Sequence, residues 1–399
     1  MMQNIYPNHS PASLRAGHPL VALYLYILLL FAGFGNISVL LELSEKPINY
    51  FHFIALLGLP LLIFIRRISL PPLPLMLFML SAGITSMVAY LFLGVLSDNP
   101  WQPVYCIVML FLGLAIGGYL PVMMMKRVLM AVGLSYIALV LIKNMVFQPE
   151  ILDMMLQGQR VWIPTLSLGE VNSEATFLII SATFLFGTVY FWPSLGLVAY
   201  LILLYSSRAS FISLAALVLY ILLVQRRRGS GISRLSKHIF LTVVMVMAAV
   251  ILVLSPLGQF MLGRFGDIGY EPGTLTRFLI WEQAMDVLLH HPFGVGAQNG
   301  FALVQLSEAG TLIEDNLHSI FLQYAVDLGI HSLLFFLFAI YHTIRQMPKA
   351  MLGHPLTLAL LSFGTLALSH YSGYETFFYL WLGLWLGQWH DARRNVAHD

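Results

Sequence analysis

Three basic side chains stand where helices are expected to begin, and each has a chemistry that suits an anion or a proton. Arg208 lies in SSRASF, where a serine can cap the following helix, whose N–H groups and dipole favour anions. Arg277 lies in TLTRFLIWEQ, and its guanidinium can hold phosphate oxygens through two charge-assisted hydrogen bonds. His318 lies in NLHSIFLQ, and a neutral imidazole can accept a proton from an attacking hydroxyl. These three residues are the predicted catalytic group.

Each of the three also has a purely structural explanation. Arg208 can extend along the helix to reach lipid headgroups. Arg277 can form an ion pair with Glu282 or Asp286 on a solvated helix face. His318 can cap a helix or lie at the membrane interface. The functional interpretation depends on whether the three side chains converge.

Weaker candidates surround them. A carboxylate next to His318, from Glu314 or Asp315, can orient its ring and raise its basicity. Each remaining polar candidate has a structural role as its alternative, and for the histidine before Pro292 that role is a favourable interaction with the end of a helix. The substrate-binding candidates are Arg160, Asn172, Arg264 and His291.

Common cofactor and metal motifs are missing from the sequence. It has no Asp-x-Asp pair, no His/Cys metal cluster, no phosphate-binding P-loop and no GxSxG motif. The expectation is chemistry without a metal or a cofactor, and no nucleic-acid partner.

The chain that carries these residues is strongly apolar. Of its 399 residues 59% are hydrophobic and 10% are charged, with a mean hydropathy of +0.83. Runs such as 71–90 and 238–254 are long enough to cross a hydrocarbon core about 30 Å thick. The pattern predicts an all-α, polytopic membrane protein with about twelve spans, at roughly 19–41, 51–65, 73–95, 103–121, 127–147, 175–191, 194–206, 209–224, 238–258, 318–343, 355–371 and 376–390.

Lysine and arginine positions give the expected orientation. With a cytoplasmic N-terminus, 14 of the 20 basic residues fall on the cytoplasmic side, which places both termini inside. The six on the disfavoured outer side are Lys46, Lys143, Arg160, Arg208, Arg264 and Arg277. Two long outer loops are expected, 148–174 and 259–317. The second, between spans nine and ten, contains an amphipathic helix predicted to be capped by Thr274 or Thr276 and ended by Pro292. Residues 1–399 are predicted to form one domain.

Three motifs in this order resemble the O-antigen ligase and polymerase superfamily of bacterial envelopes. They are SSRASF, LTRFLIWEQAMDVLLHHPFGVG and NLHSIFLQYAVDLGI. The ligase histidine motif looks like His-[Asn/Ser/Gln]-x9-Gly-x-x-[Gly/Thr/Tyr]. Here His318, Ser319 and Gly329 fit, whereas Ser332 stands at the last position. The family's Gly-Asn-Pro-Asn stretch is reduced to GEVNSEA around Asn172.

The resemblance implies a metal-independent, inverting glycosyltransferase of the bacterial inner membrane with a periplasmic active site. Its donor is a glycan on undecaprenyl diphosphate, and the lipid tail lies between helices among other membrane lipids. For a ligase the acceptor is the lipid A–core sugar of lipopolysaccharide. For the alternative, an O-antigen or exopolysaccharide polymerase, the acceptor is another lipid-linked repeat.

A transporter or flippase is the alternative from a different class. It would place ionisable residues in mid-membrane and usually contain internal repeats. The candidate residues of this chain gather instead on one side, and the sequence has no evident repeat. The enzyme class is therefore the preferred prediction, while the sugars, the linkage and the oligomeric state are not predicted.

Overall fold

A computed structural model describes residues 18–35, 50–65, 69–157, 164–167, 171–226, 272–307 and 316–398, together with Gln259, Gly263, Gly266 and Tyr270. Within these residues the chain forms helices and turns only. The helices are α1 His18–Ala32, α2 Tyr50–Phe64, α3 Leu73–Leu93, α4 Gln102–Tyr119, α5 Val122–Ile142, α6 Pro149–Leu156, α7 Val171–Phe184, α8 Phe191–Leu204, α9 Arg208–Arg226, α10 Pro272–His290, α11 Asn299–Ser307, α12 Ile320–Arg345, α13 Pro355–Ala367 and α14 Thr376–His398. A π-helical turn at Lys143–Phe147 continues α5, and a 3-10 helix at Lys349–Gly353 precedes α13.

Four helices of the described chain are long and apolar enough to cross a membrane, judged by length and composition. They are Leu73–Leu93, Gln102–Tyr119, Val122–Val146 and Ile320–Arg345. Five shorter apolar helices are Pro19–Ala32, Tyr50–Pro60, Phe191–Leu204, Arg208–Val224 and Pro355–Ala367. The all-helical class is therefore confirmed for the described residues. The predicted span at 238–258 lies outside them.

Close backbone contact joins α4 to α14. Both helices carry a small-residue repeat, with Gly113 and Gly117 facing Gly383 and Gly387. A Cβ at Gly113 would clash with the carbonyl oxygen of Leu380. Between apolar helices in lipid, association rests on close packing rather than on the hydrophobic effect, so small residues at the interface are what allow it. The C-terminal helix is thereby fixed against the centre of the bundle.

The helix α12 is broken at one residue. Gly329 has φ +83°, a left-handed conformation that favours glycine. The break frees backbone groups that the turn after α10 pairs with: Val295 N–H donates to Val326 O at 3.1 Å, and Gly296 N–H donates to Asp327 O at 2.8 Å. A Cβ on Gly329 would also collide with the backbone of Phe293. The break in α12 is thus the docking point for the loop that carries α10 and α11.

A buried carboxylate completes this docking. Asp327 is fully buried, and its two oxygens accept hydrogen bonds from Gly300 N–H at 2.7 Å, Gln298 N–H at 2.8 Å and the Gln323 amide at 2.9 Å. Gly300 lies in the first turn of α11, where a carboxylate interacts favourably with the helix dipole. Asp327 therefore caps α11 and fixes it to α12.

The start of α13 provides a pH-dependent test of this fold. His354 is the N-cap residue, and its Nδ1 accepts from Leu356 N–H at 3.3 Å. Burial, and secondly the charge of Lys126, lower the pKa of His354 to about 3. Since the unfolded pKa is 6.5, the neutral cap stabilises the fold above pH 6.5 and its contribution is lost as pH falls towards 3.

We expect wild-type protein to lose about 2 kcal/mol from this group between pH 7 and pH 5. His354→Asn keeps a capping side chain without an ionisable group, so its thermal midpoint should fall less over the same range. Midpoints of purified protein in detergent at the two pH values measure the difference. Equal losses in wild type and variant would contradict the assignment.

Candidate functional site

The start of α9 is held to the start of α7. The Ser207 hydroxyl donates to Asn172 Oδ1 at 2.5 Å and contacts the Ser210 hydroxyl at 2.7 Å. The preceding residue, Ser206, has φ +53°, a strained backbone for a residue other than glycine. Arg208 is therefore the first residue of α9, as predicted, and Asn172 is directly linked to the turn that presents it.

A buried ion pair lies beside this turn. Lys143 Nζ is 2.6 Å from Glu174 Oε1, and both side chains are almost fully buried. Glu174 also accepts from the Tyr205 hydroxyl and, at 2.6 Å, from Leu166 N–H. Lys143 donates further to Pro164 O at 3.0 Å. Since each charge has an opposite charge and further hydrogen bonds, the pair can persist in an apolar interior, and it fixes the end of α5 to α7 and to the turn before Arg208.

Arg277 lies in the second turn of α10 rather than in the first, because the helix already begins at Pro272. The predicted cap residues Thr274 and Thr276 are therefore inside the helix. Arg277 makes no ion pair with Glu282 or Asp286, the partners of its structural alternative. Its Nε is buried and has no hydrogen-bond partner. A buried guanidinium donor of this kind is costly unless an acceptor completes it.

One turn further along α10, Trp281 contacts the segment before α12. Its indole Nε1–H donates to Leu317 O at 2.8 Å. The residues that surround this contact form a second apolar cluster, made of Ile280, Ala284, Val295, Phe301, Val304, Leu317 and Val326. Because positions four apart share a helix face, Arg277 and Trp281 point to the same side. The helix that carries Arg277 is thus packed against the residue before His318.

His318 lies two residues before α12 and not inside it. It is 6% exposed and has φ +53°. Its backbone N–H donates to Asn316 Oδ1 at 2.6 Å, and its Nδ1 is 3.4 Å from His370 O. A carbonyl only accepts hydrogen bonds, so this contact favours the tautomer with the proton on Nδ1 and the lone pair on Nε2. The predicted carboxylates Glu314 and Asp315 lie outside the described residues.

A second imidazole faces the first. The rings of His318 and His370 are stacked, with centroids 6.1 Å apart and an angle of 19° between their planes. Burial, then the charges of His318 and Arg277, lower the pKa of His370 to about 3. His370 is therefore uncharged at neutral pH, and Arg277 is among the charges that lower its pKa.

The loop between α13 and α14 connects the two halves of the site. Glu375 accepts from Ser372 N–H at 2.8 Å, the Ser372 hydroxyl at 2.9 Å and Gly373 N–H at 2.8 Å, which shapes the turn after His370. The next residue, Tyr371, is buried beside the first turns of α7; burial raises its pKa, and the hydroxyls of Thr176 and Ser173 oppose the rise. A set of contacts thus runs from the His318 ring through His370 and Tyr371 to the first turns of α7.

Of the remaining candidates, His291 does not join this cluster. His291 lies with His331 and Thr85 in a separate pocket of about 380 Å³, and the helix rise of 1.5 Å per residue puts it about 21 Å along α10 from Arg277. Arg160 and Arg264 lie outside the described residues. Among the residues that the structure describes, no group of three His, Cys, Asp or Glu side chains could hold a metal ion.

Several site residues were missed by sequence reasoning. The sequence does not single out His370, Trp281, Glu174 or Asp327 as positioning groups. Two of them carry a detectable signal: Asp327 is an acid inside a long apolar run, and Trp281 has the spacing that places it beside Arg277. The tertiary contact of His370 has no such local signal.

Comparison with known protein families gives one match. A family model described as O-antigen ligase matches residues 193–337, the segment that contains Arg208, Arg277 and His318. This match confirms the resemblance to the O-antigen ligase superfamily. No curated protein matches the sequence. The apolar helices, together with this match, indicate a membrane protein.

The ion pair beside the site generates a stability prediction. Glu174→Ala leaves the buried ammonium of Lys143 without its counter-charge, so it should destabilise the protein by about 3–5 kcal/mol and lower the thermal midpoint of purified protein. Glu174→Gln combined with Lys143→Met removes both charges at similar volume and should be milder. If Glu174→Ala lowers the thermal midpoint no more than the double variant does, the result would count against the buried pair.

Proposed function

We propose that the protein is an O-antigen ligase, which transfers a glycan from undecaprenyl diphosphate to the lipid A–core acceptor during lipopolysaccharide biosynthesis. The single observation that carries the proposal is the stacking of the His318 ring on the uncharged imidazole of His370, whose pKa the charge of Arg277 also lowers. The Nε of Arg277 is buried and has no hydrogen-bond partner among the described residues. Such a site offers charge stabilisation for a leaving diphosphate and a base for an attacking hydroxyl. The reaction is metal-independent and inverts the anomeric centre.

The proposed topology follows the charge distribution of the sequence. Residues 1–399 form one domain of twelve spans in the inner membrane, with both termini in the cytoplasm. The loops 148–174 and 259–317 are periplasmic. With this orientation Arg208, Arg277 and His318 all lie at the periplasmic end of the bundle, where no nucleotide is needed because the donor lipid already carries an activated sugar.

His318 is the proposed general base. With its Nδ1–H directed at His370 O, its lone pair on Nε2 accepts the proton of the acceptor hydroxyl. The hydroxyl oxygen bonds to the anomeric carbon while the bond from that carbon to the diphosphate oxygen breaks. The proton remains on the imidazole, and the leaving electron pair remains on the diphosphate.

Arg277 and Arg208 are the proposed groups that stabilise the departing diphosphate. A guanidinium fork in a partly dry site binds phosphate oxygens strongly and needs no reorganisation during the reaction. The Nε of Arg277 lacks a protein acceptor, which supports a ligand oxygen as its partner. Arg208 adds the N-terminus of α9, whose free N–H groups favour an anion.

The lipid tail of the donor has a candidate groove. An apolar cavity of about 490 Å³ opens between α3 and α4, and it reaches Tyr374 in the same loop as His370. For the weaker substrate-binding candidates, the hydrogen bond of Asn172 to Ser207 suggests action through Arg208. Arg160, Arg264 and His291 remain proposals from the sequence alone.

The alternative is a polymerase of the same superfamily, with a second lipid-linked repeat as the acceptor. One observation favours it: Ser332, at the position where the ligase motif has glycine, threonine or tyrosine, is buried and 2.5 Å from the Ser81 hydroxyl, so the ligase motif is incomplete here.

An assay with purified protein and donor glycan on undecaprenyl diphosphate separates the two functions. It offers lipid A–core and a lipid-linked repeat as acceptors in parallel, in the presence of EDTA. Transfer to lipid A–core alone supports the ligase, and extension of the lipid-linked repeat supports the polymerase. No transfer to either acceptor would refute the proposal, and a requirement for Mg²⁺ or Mn²⁺ would refute the metal-independent mechanism.

The arginines generate the next prediction. Arg277→Ala and Arg208→Ala should each lower kcat by roughly 10²–10³-fold, the effect of removing one preorganised donor to a developing negative charge. Arg277→Lys keeps the charge but lacks the guanidinium fork, so its kcat should lie between those of wild type and Arg277→Ala. Arg345→Ala, at the opposite end of α12, is the matched control. Wild-type turnover in both alanine variants would exclude the diphosphate role.

His318 generates a different kinetic signature. His318→Ala should lower kcat by roughly 10²–10⁴-fold because it removes the general base, while the KM for the donor stays near the wild-type value because the arginines remain. Steady-state kinetics with varied donor concentration provides both constants. The role as base is excluded if turnover is undiminished.

A further inference from the structure

We propose that Trp281 and Gln323 are positioning residues that hold the backbone carbonyl and the backbone N–H of Leu317 and so fix the His318 imidazole for proton transfer. This inference rests on the proposed function of His318. Neither residue touches the reacting atoms in this arrangement; both act through the backbone that carries the base.

The strained backbone of His318 is the first observation. Its φ of +53° is unfavourable for any residue other than glycine, and such conformations persist only where surrounding contacts enforce them. The contacts that enforce it are made by the preceding residue, Leu317, which is fully buried. A rotation of the Leu317–His318 peptide would move the imidazole away from His370 O.

Both backbone polar groups of Leu317 are held by side chains. The Leu317 N–H, in the peptide that precedes Leu317, donates to Gln323 Oε1 at 3.1 Å, and the Leu317 carbonyl, in the peptide that links it to His318, accepts from Trp281 Nε1–H at 2.8 Å. The two side chains come from different elements, since Trp281 is in α10 and Gln323 is in the first turn of α12. The two peptide groups that flank the Leu317 Cα are therefore each fixed to a different helix.

The orientation of the Gln323 amide is itself determined. Its Nε2 donates to Asp327 Oδ2 at 2.9 Å, which leaves Oε1 to face the Leu317 N–H. Asp327 in turn accepts from the backbone around α11. The buried network thus transmits the position of the docked loop to the backbone of His318, and all its members are nearly inaccessible to water.

The same arrangement couples the two reacting groups of the proposed mechanism. Trp281 lies four residues after Arg277 on one face of α10. One helix therefore presents the guanidinium and holds the peptide next to the imidazole. A displacement of about 1 Å at a reacting group is enough to cost about 10²-fold in rate, so the coupling has a kinetic consequence.

Four variants test the proposal, two of them matched controls. Trp281→Phe keeps an aromatic ring and removes the N–H; Trp385→Phe removes the buried indole hydrogen bond to Thr357, which lies away from the site. Gln323→Met removes the amide at similar volume; Gln388→Met removes a buried amide that donates to Gly117 O and Leu120 O. Each change is made in wild type and in His318→Ala.

In wild type, Trp281→Phe and Gln323→Met are expected to lower kcat roughly 10- to 100-fold, with unchanged KM for donor and acceptor. In the His318→Ala background the same changes should lower kcat less than about twofold, because their effect passes through the imidazole. The two controls should leave kcat near the wild-type value in both backgrounds. Equal losses in both backgrounds, or no loss in wild type, would overturn the proposal.

A second measurement does not depend on transfer. In ¹⁵N-histidine protein, the His318 ring signals are identified by their loss in His318→Ala, and their shifts report which ring nitrogen carries the proton. Trp281→Phe should change these shifts, whereas Trp385→Phe should not. Unchanged shifts in Trp281→Phe would refute the positioning role even if the glycosyltransferase function holds, and absence of transfer by wild type refutes that function separately.

Discussion

The break in α12 at Gly329 is the constraint on which the rest of the structure depends. In a low-dielectric surrounding a helix must satisfy its own backbone groups, and a break leaves some of them without partners. Here the turn at Val295 and Gly296 supplies the hydrogen-bond donors, so the loop between α10 and α11 binds at the break itself. The orientation of α10 follows, and with it the contact of Trp281 with Leu317, the residue before His318.

The charged groups inside the bundle are likewise satisfied by hydrogen bonds. The carboxylate of Asp327 is surrounded by two backbone N–H groups and an amide, and the Lys143–Glu174 pair is completed by a phenol and backbone groups. Neither lies among the groups proposed to react, yet each adjoins a segment that presents one. Permanent charge is thus used to fix geometry, whereas the uncharged ring of His370 borders the proposed base.

Much of the helical architecture follows from the sequence because an apolar run can satisfy its backbone only by forming a helix. Helix ends follow less well: α7 begins at Val171, inside the predicted loop, since Glu174 is buried by a partner 31 residues away. The position of Arg208 at the start of a helix was predictable from its motif, whereas a shared side of the membrane for Arg208 and His318 stays a prediction. The stacking of His370 on His318 was not predictable, because a sequence separation of 52 leaves no periodic signal.

The glycine contact between α4 and α14 has a consequence for biogenesis. Gly113 leaves the ribosome about 270 residues before its partner Gly383, so the groove on α4 stays open while almost the whole chain is synthesised. The loop with His370 immediately precedes α14 and is tethered only when that helix inserts. The loop with His370 consequently reaches its final place only after α14 has been made, and a chain truncated before α14 would reach the membrane with that loop untethered.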